Sequence, residues 1–176
     1  VTMLNDFVTA ITAWDENGKI LEKSTGDGKG SMKRIYYYPN GNIKSFGSEV
    51  WNSKEKKYAR FGNWTFNFEN GNKELVQIYK DGLLSKIWEQ YLSSGEKILS
   101  DGNGEFRAFH SNGKVSIAVA TKNGARDGIA TWYYDNGQIE QAALYQYDDK
   151  STPIGKRIEV ISSFHKDGRI RDKGTL

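Results

Sequence analysis

The chain has 176 residues, enough for one domain or a short array of repeats, with 37% hydrophobic residues, 13% aromatics, 19 glycines and only two prolines. A net charge of +3, with acids and bases interspersed, is too small an excess to argue for nucleic acid or an anionic membrane by itself. The absence of cysteine excludes disulfides, zinc–thiolate sites and cysteine nucleophiles, and no apolar run approaches the roughly 20 residues of a membrane-spanning helix.

The N-terminal series Leu4, Phe7, Val8 and Ile11 has the i, i+3, i+4, i+7 spacing of an amphipathic helix, and it equally suits a strand leading into Trp14. Residues 1–13 are therefore read as a cap, and 14–176 as a single array. The array is punctuated by Asn-Gly at 17–18, 40–41, 70–71, 112–113 and 136–137, with Ser94-Gly95 and Asp167-Gly168 in the same role. Asn-Gly signals a hairpin, since a type I′ turn needs positive φ at both central residues. The spacings of the seven turn glycines, Gly18, Gly41, Gly71, Gly95, Gly113, Gly137 and Gly168, are 23, 30, 24, 18, 24 and 31.

Side chains keep phase with these glycines. Four residues before them stand Trp14, Tyr37, Asn67, Tyr91, Phe109, Tyr133 and Phe164. Two residues after them stand Ile20, Ile43, Lys73, Lys97, Val115, Ile139 and Ile170; Ile98 beside Lys97 points to a one-residue slip in that copy. Seven residues before them stand Ile11, Arg34, Trp64, Trp88, Phe106, Ala130 and Ile161. A ring before the turn and an Ile or Val after it lie on opposing strands and pack as cross-strand neighbours, so that stacked copies run a stripe of rings along the array. The composition and this phasing predict an all-β chain, an elongated antiparallel sheet of about seven tandem hairpins.

A second set of turns joins the copies, at Gly26 to Gly30, Lys80 to Gly82, Asp101 to Gly104 and Lys122 to Gly124. The two long copies extend at this far end, through Asn52 to Lys57 and Asp148 to Pro153, and both loops should emerge at one edge of the sheet.

The phased pattern resembles the MORN repeat, whose core is G-x-W-x-x-Y-x-x-N-G. The segments Gly62-Asn63-Trp64 through Gly71, Ile87-Trp88 through Gly95 and Glu105-Phe106 through Gly113 carry it. The Tyr37 to Ile43 and Tyr133 to Ile139 segments look like a bacterial variant found in proteins described as antitoxin-like. The resemblance spans about Trp14 to Ile170. It implies a non-enzymatic module that binds a partner protein, with an antitoxin or immunity-type role; the alternative is a scaffold at an envelope or membrane surface. Asn67, Arg34 and Ala130 depart from the ring positions of the pattern.

Candidate chemistry is sparse. His110 and His165 stand at equal phase three repeats apart, some 30 Å at about 10 Å per hairpin, too far to share a metal or a proton. Gly26 to Ser31 lacks the order of a phosphate-binding loop. No nucleophile elbow and no opposed carboxylate pair is visible. No catalytic, cofactor or metal residues are assigned, and no nucleic acid is expected. The partner-contact candidates are the rings that flank the phased ones, Tyr36, Tyr38, Trp132 and Tyr134, together with Trp64, Phe66 and Trp88. Successive strand residues face opposite sides, so if the phased rings build the stripe these line the other face, open to a partner protein or buried in a homodimer. Lys54, Lys56 and Lys57 crowd one long loop and could meet an acidic protein or a membrane surface. Lys166, Arg169, Arg171 and Lys173 are read as protection of a sheet edge.

Overall fold

The structure is a computed structural model and describes residues 1–4, 6–147 and 155–173. Its described residues form fifteen strands and no helix: β1 (Thr2–Leu4), β2 (Phe7–Trp14), β3 (Ile20–Gly26), β4 (Ser31–Tyr37), β5 (Ile43–Asn52), β6 (Lys57–Asn67), β7 (Lys73–Lys80) and β8 (Leu83–Tyr91), then β9 (Lys97–Ser100), β10 (Asn103–Phe109), β11 (Val115–Lys122), β12 (Ala125–Tyr133), β13 (Ile139–Gln146), β14 (Lys156–Phe164) and β15 (Ile170–Lys173). Strand order in the sheet is strand order in the sequence. The all-β fold of antiparallel hairpins is as the sequence predicts. The N-terminal series takes its strand alternative, as β1 and β2 rather than a helix. The long loop at Asp148 to Pro153 lies outside the described residues. The chain divides into two compact units, Val1–Ser85 with Gln90–Lys97, and Lys86–Glu89 with Ile98 onward.

All seven phased turns share one geometry. The residue three before the glycine receives the glycine N–H and donates its own N–H to the carbonyl just past the glycine, as in Tyr38 N to Asn42 O (2.8 Å) and Gly41 N to Tyr38 O (2.9 Å). Only the glycine has positive φ, between 77° and 93°. These are therefore type I turns closed by a left-handed glycine, not the type I′ turns that Asn-Gly suggests. The copy at Gly95 keeps the register, with Leu92 N bonded to Glu96 O, so it is not slipped. Type I′ geometry appears at the other end of the hairpins, where Asp81-Gly82, Asp101-Gly102 and Asn123-Gly124 have positive φ at both residues.

Asparagine is needed in the phased turns for its side chain. Its Oδ1 accepts the N–H two residues on, as at Asn40, Asn70, Asn112 and Asn136. Its Nδ2 reaches the next hairpin: Asn40 donates to Glu69 O and Asn70 to Ser93 O in the first unit, Asn112 to Asp135 O and Asn136 to Lys166 O in the second. A parallel ladder runs two residues earlier. Tyr38 donates its hydroxyl to Asn67 O, Tyr134 to Phe164 O, and His110 Nε2 lies 2.8 Å from Tyr133 O.

The predicted cross-strand pairs form: Trp14 faces Ile20, Tyr37 Ile43, Phe109 Val115, Tyr133 Ile139 and Phe164 Ile170. They are not the buried stripe. Trp14, Ile20, Ile43, Phe109, Ile139 and Ile170 are exposed. Burial falls instead on residues five and seven before the glycine, such as Trp64, Gln90, Ala130 and Ser163, because these project to the opposite face, where large rings meet small partners. In the first unit Trp64 lies across Gly47, its cross-strand neighbour, and its indole N–H donates to Ser48 O (2.9 Å). In the second unit Val119, Ala130, Ala143 and Tyr145 form the core, with Phe106 and Trp132 packed on it.

A Cβ on Gly47 would sit 2.5 Å from the Trp64 ring, whereas one on Gly41 meets nothing within 4 Å. Gly47→Ala is expected to cost about 2 kcal/mol or more through overpacking, and Gly41→Ala about 1 kcal/mol through its φ alone. Thermal and urea unfolding of the two variants checks the ranking.

Candidate functional site

Ring and charge networks occupy one face of each unit. In the first unit Trp64 has no accessible surface. Gly47 lies beneath it, Tyr36 stacks beside it (6.3 Å, 29°) and Phe66 follows on the same strand (6.3 Å). Arg60 covers it, its guanidinium 4.3 Å from the Trp64 ring centre, 5.4 Å from Phe66 and 5.2 Å from Tyr79. Arg60 also donates to the Tyr79 hydroxyl (2.8 Å), which donates to Gln77 Oε1.

Beside this stack Arg34 is held between two carboxylates, Glu22 and Glu49, and lies over the Tyr58 ring. Burial alone would lower the Arg34 pKa, but its hydrogen bonds to Glu22 and Glu49, with the charge of Glu49, outweigh it and hold the group above its ordinary value. Burial, with Glu22 close by, pushes the Tyr36 phenol up. The Tyr58 hydroxyl is buried without a hydrogen-bond partner among the described residues. Arg34 thus departs from the ring pattern for a reason that sequence phase could not show: two acids from neighbouring strands meet it.

The second unit repeats the arginine arrangement. Arg126 lies 5.8 Å from the Trp132 ring centre and 5.2 Å from that of Tyr145, with Nη1 3.4 Å from the Tyr145 hydroxyl. The sequence signal is Ala59-Arg60-x-Gly62-x-x-Thr65, which returns as Ala125-Arg126-x-Gly128-x-x-Thr131. Gly62 and Gly128 have positive φ, and the ladder shifts register beside each. A strict count back from the turn glycine, looking for rings only, passes over this motif.

The predicted contact residues are distributed as follows. Tyr36 and Phe66 lie half-buried in the first unit's stack, Trp132 in the second unit's core, and Trp88 is half-buried with Lys86 Nζ 5.7 Å from its ring centre. Trp64 is corrected: being fully covered, it offers nothing to a partner. Tyr38 and Tyr134 spend their hydroxyls on the ladder between hairpins. Lys54 and Lys56 are exposed in the β5–β6 turn and Lys57 at the start of β6, with Lys57 paired to Glu55. The rings and the lysines are not brought into one site. What the sequence reading missed as a surface is the row it took for glue, the exposed pairs flanking the turns. In the first unit, exposed Phe46 and Phe61 add to that row, and Phe61 borders a hollow of about 520 Å³ with Thr25, Lys33 and Val50.

These features define a class, the tandem β-hairpin repeat proteins. Within it, the family model described as MORN repeat variant matches residues 32–45, which are β4 with its turn and the start of β5, and 126–147, which are β12 and β13. These two segments are similar to that repeat variant. Comparison with curated proteins finds no match.

The side chains of Arg34, Glu22 and Glu49 are 13%, 17% and 13% exposed, against 66% and 55% for Lys57 and Glu55. Arg34→Gln strands two carboxylates and is expected to cost about 3 kcal/mol; Lys57→Gln should cost less than about 0.5 kcal/mol. Chemical denaturation compares them. Glu74, on β7, has its carboxyl raised by burial, so any stability it contributes is present at low pH and lost as pH rises through the raised value. Glu74→Gln should stabilise the protein at pH 7 and lose that advantage below about pH 4; melting curves across pH test it.

Proposed function

We propose that this chain is a non-enzymatic repeat module that binds a partner protein through the exposed apolar row flanking its turns. The observation that carries the reading is that row: Trp14, Ile20, Ile43 and Phe46 in the first unit, and Phe109, Ile139 and Ile170 in the second, all stand exposed although they sit in register as cross-strand pairs or beside them. Exposed apolar side chains gathered in this way within each unit mark protein or membrane contact. Its setting favours protein. The hairpin turns beside it are lined with Asp, Glu and Asn as well as Lys, which suits a polar rim around an apolar centre.

The finer role we propose is that of an antitoxin or immunity-type protein whose partner is a toxin. It rests on the resemblance of the Tyr37 to Ile43 and Tyr133 to Ile139 segments to the bacterial repeat variant. Co-expression addresses it: a partner that arrests growth alone should be tolerated when this chain is present.

The competing reading, a scaffold at a membrane surface, draws on Lys54, Lys56 and Lys57. The full chain is expected to retain one protein from its host at fixed stoichiometry. Ile43→Glu with Ile139→Glu should weaken that capture at least about tenfold and leave the melting temperature unchanged. Flotation on phosphatidylserine vesicles, abolished by changing the three lysines to Glu, would instead favour the scaffold.

A further inference from the structure

The stacked arginines point to the chemistry of the partner. We infer that Arg60 in the first unit and Arg126 in the second each receive a carboxylate from acidic side chains of the partner protein, an inference that rests on the protein-binding reading above and extends the contact to the face opposite the apolar row. Both guanidinium groups lie over rings, and both spend one N–H on a neutral tyrosine hydroxyl, Tyr79 or Tyr145. Neither makes an ion pair among the described residues, whereas Arg34, Arg107, Arg169 and Arg171 all do. Glu49 stands directly opposite Arg60 in the β5–β6 ladder, but its carboxylate is turned to Arg34 Nε at 2.8 Å.

A guanidinium stacked on rings still presents N–H groups at its edge, in the forked geometry that matches a carboxylate. Both arginines are half-buried. A half-buried charge gains more from an arriving anion than an exposed lysine does, because less water screens the pair. The arrangement occurs in both units with the same Ala-Arg-x-Gly-x-x-Thr lead and the same 19-residue step from arginine to tyrosine. In the first unit Glu22 and Glu49 share the face with Arg60. A plane of anionic headgroups would press on those acids, whereas an extended acidic segment places single carboxylates at the arginines.

The test uses the full chain and a fluorescent polyglutamate peptide of about 12 residues, with polyglutamine of the same length as control, in low salt. Saturable binding of polyglutamate alone is expected. Arg60→Gln and Arg126→Gln should each weaken it about fivefold, and Lys54→Gln should leave it unchanged. Where Arg60→Gln melts below the assay temperature, Arg60→Lys keeps a charge without the fork and should bind about two- to threefold more weakly than the wild type. No saturable polyglutamate binding, or equal weakening by Lys54→Gln, overturns the inference. So does flotation on phosphatidylserine vesicles that depends on Arg60 and Arg126. A host partner lost on Ile43→Glu with Ile139→Glu, alongside no polyglutamate binding, would remove this inference and keep the protein-binding reading.

Discussion

An isolated β-hairpin in water has too little core to be stable, so this chain depends on the ladders that pair each hairpin with the next, to which asparagines at the phased turns add a further tie. The turn asparagine closes its own loop with Oδ1 and donates Nδ2 to the following turn. Tyrosine or histidine three residues before the glycine adds a second tie, to the backbone ahead of the next turn. These are exposed or half-exposed bonds, modest singly at about 1 kcal/mol, but they recur at a fixed phase. They also fix register, since a one-residue slip would carry both donors away from both acceptors while turning every strand residue to the other face.

With the turns locked, each face is free to specialise. One face takes the large rings where a small neighbour makes room: Trp64 over Gly47 in the first unit, Trp132 and Phe106 around Ala130 and Ala143 in the second. Charges enter that face only with support. Arg34 is bracketed by two carboxylates, and Arg60 and Arg126 are laid on rings. The other face keeps its cross-strand pairs in register but leaves one or both members in solvent. The same hairpin therefore supplies a side on which rings and arginines pack and a side with apolar area to spare.

The strand architecture was legible because glycine phase is a local property. Only glycine closes these turns at positive φ, and the residues four before and two after it pair as counting predicts. Turn type was misread because Asn-Gly has a well-known use in type I′ turns, while here asparagine serves through its amide, a role that needs the neighbouring turn to be seen. The buried and exposed faces were exchanged for a related reason. Counting shows that Tyr37 and Tyr133 recur, but not that Gly47 and Ala130 open space on the opposite side. Arg60 and Arg126 were invisible to a search for rings, although their shared lead sequence was there to be found.

Asn67 shows how far the ladder overrides the ring pattern. It stands where other copies have an aromatic, faces Lys73 rather than an isoleucine, and its Nδ2 reaches back to Ile43 O of the preceding hairpin (3.0 Å). Tyr38 meanwhile donates to the Asn67 carbonyl. This copy thus exchanges an apolar pair for hydrogen bonds in both directions, while Lys73 and Lys97 both lie over the Tyr91 ring in the next. The exposed apolar row is interrupted there by polar groups that are themselves well engaged. A departure that reads as decay of the repeat is, in three dimensions, a local strengthening of the tie between hairpins at the cost of one segment of apolar surface. In this copy, then, hydrogen bonds rather than an apolar pair tie the hairpin to its neighbours.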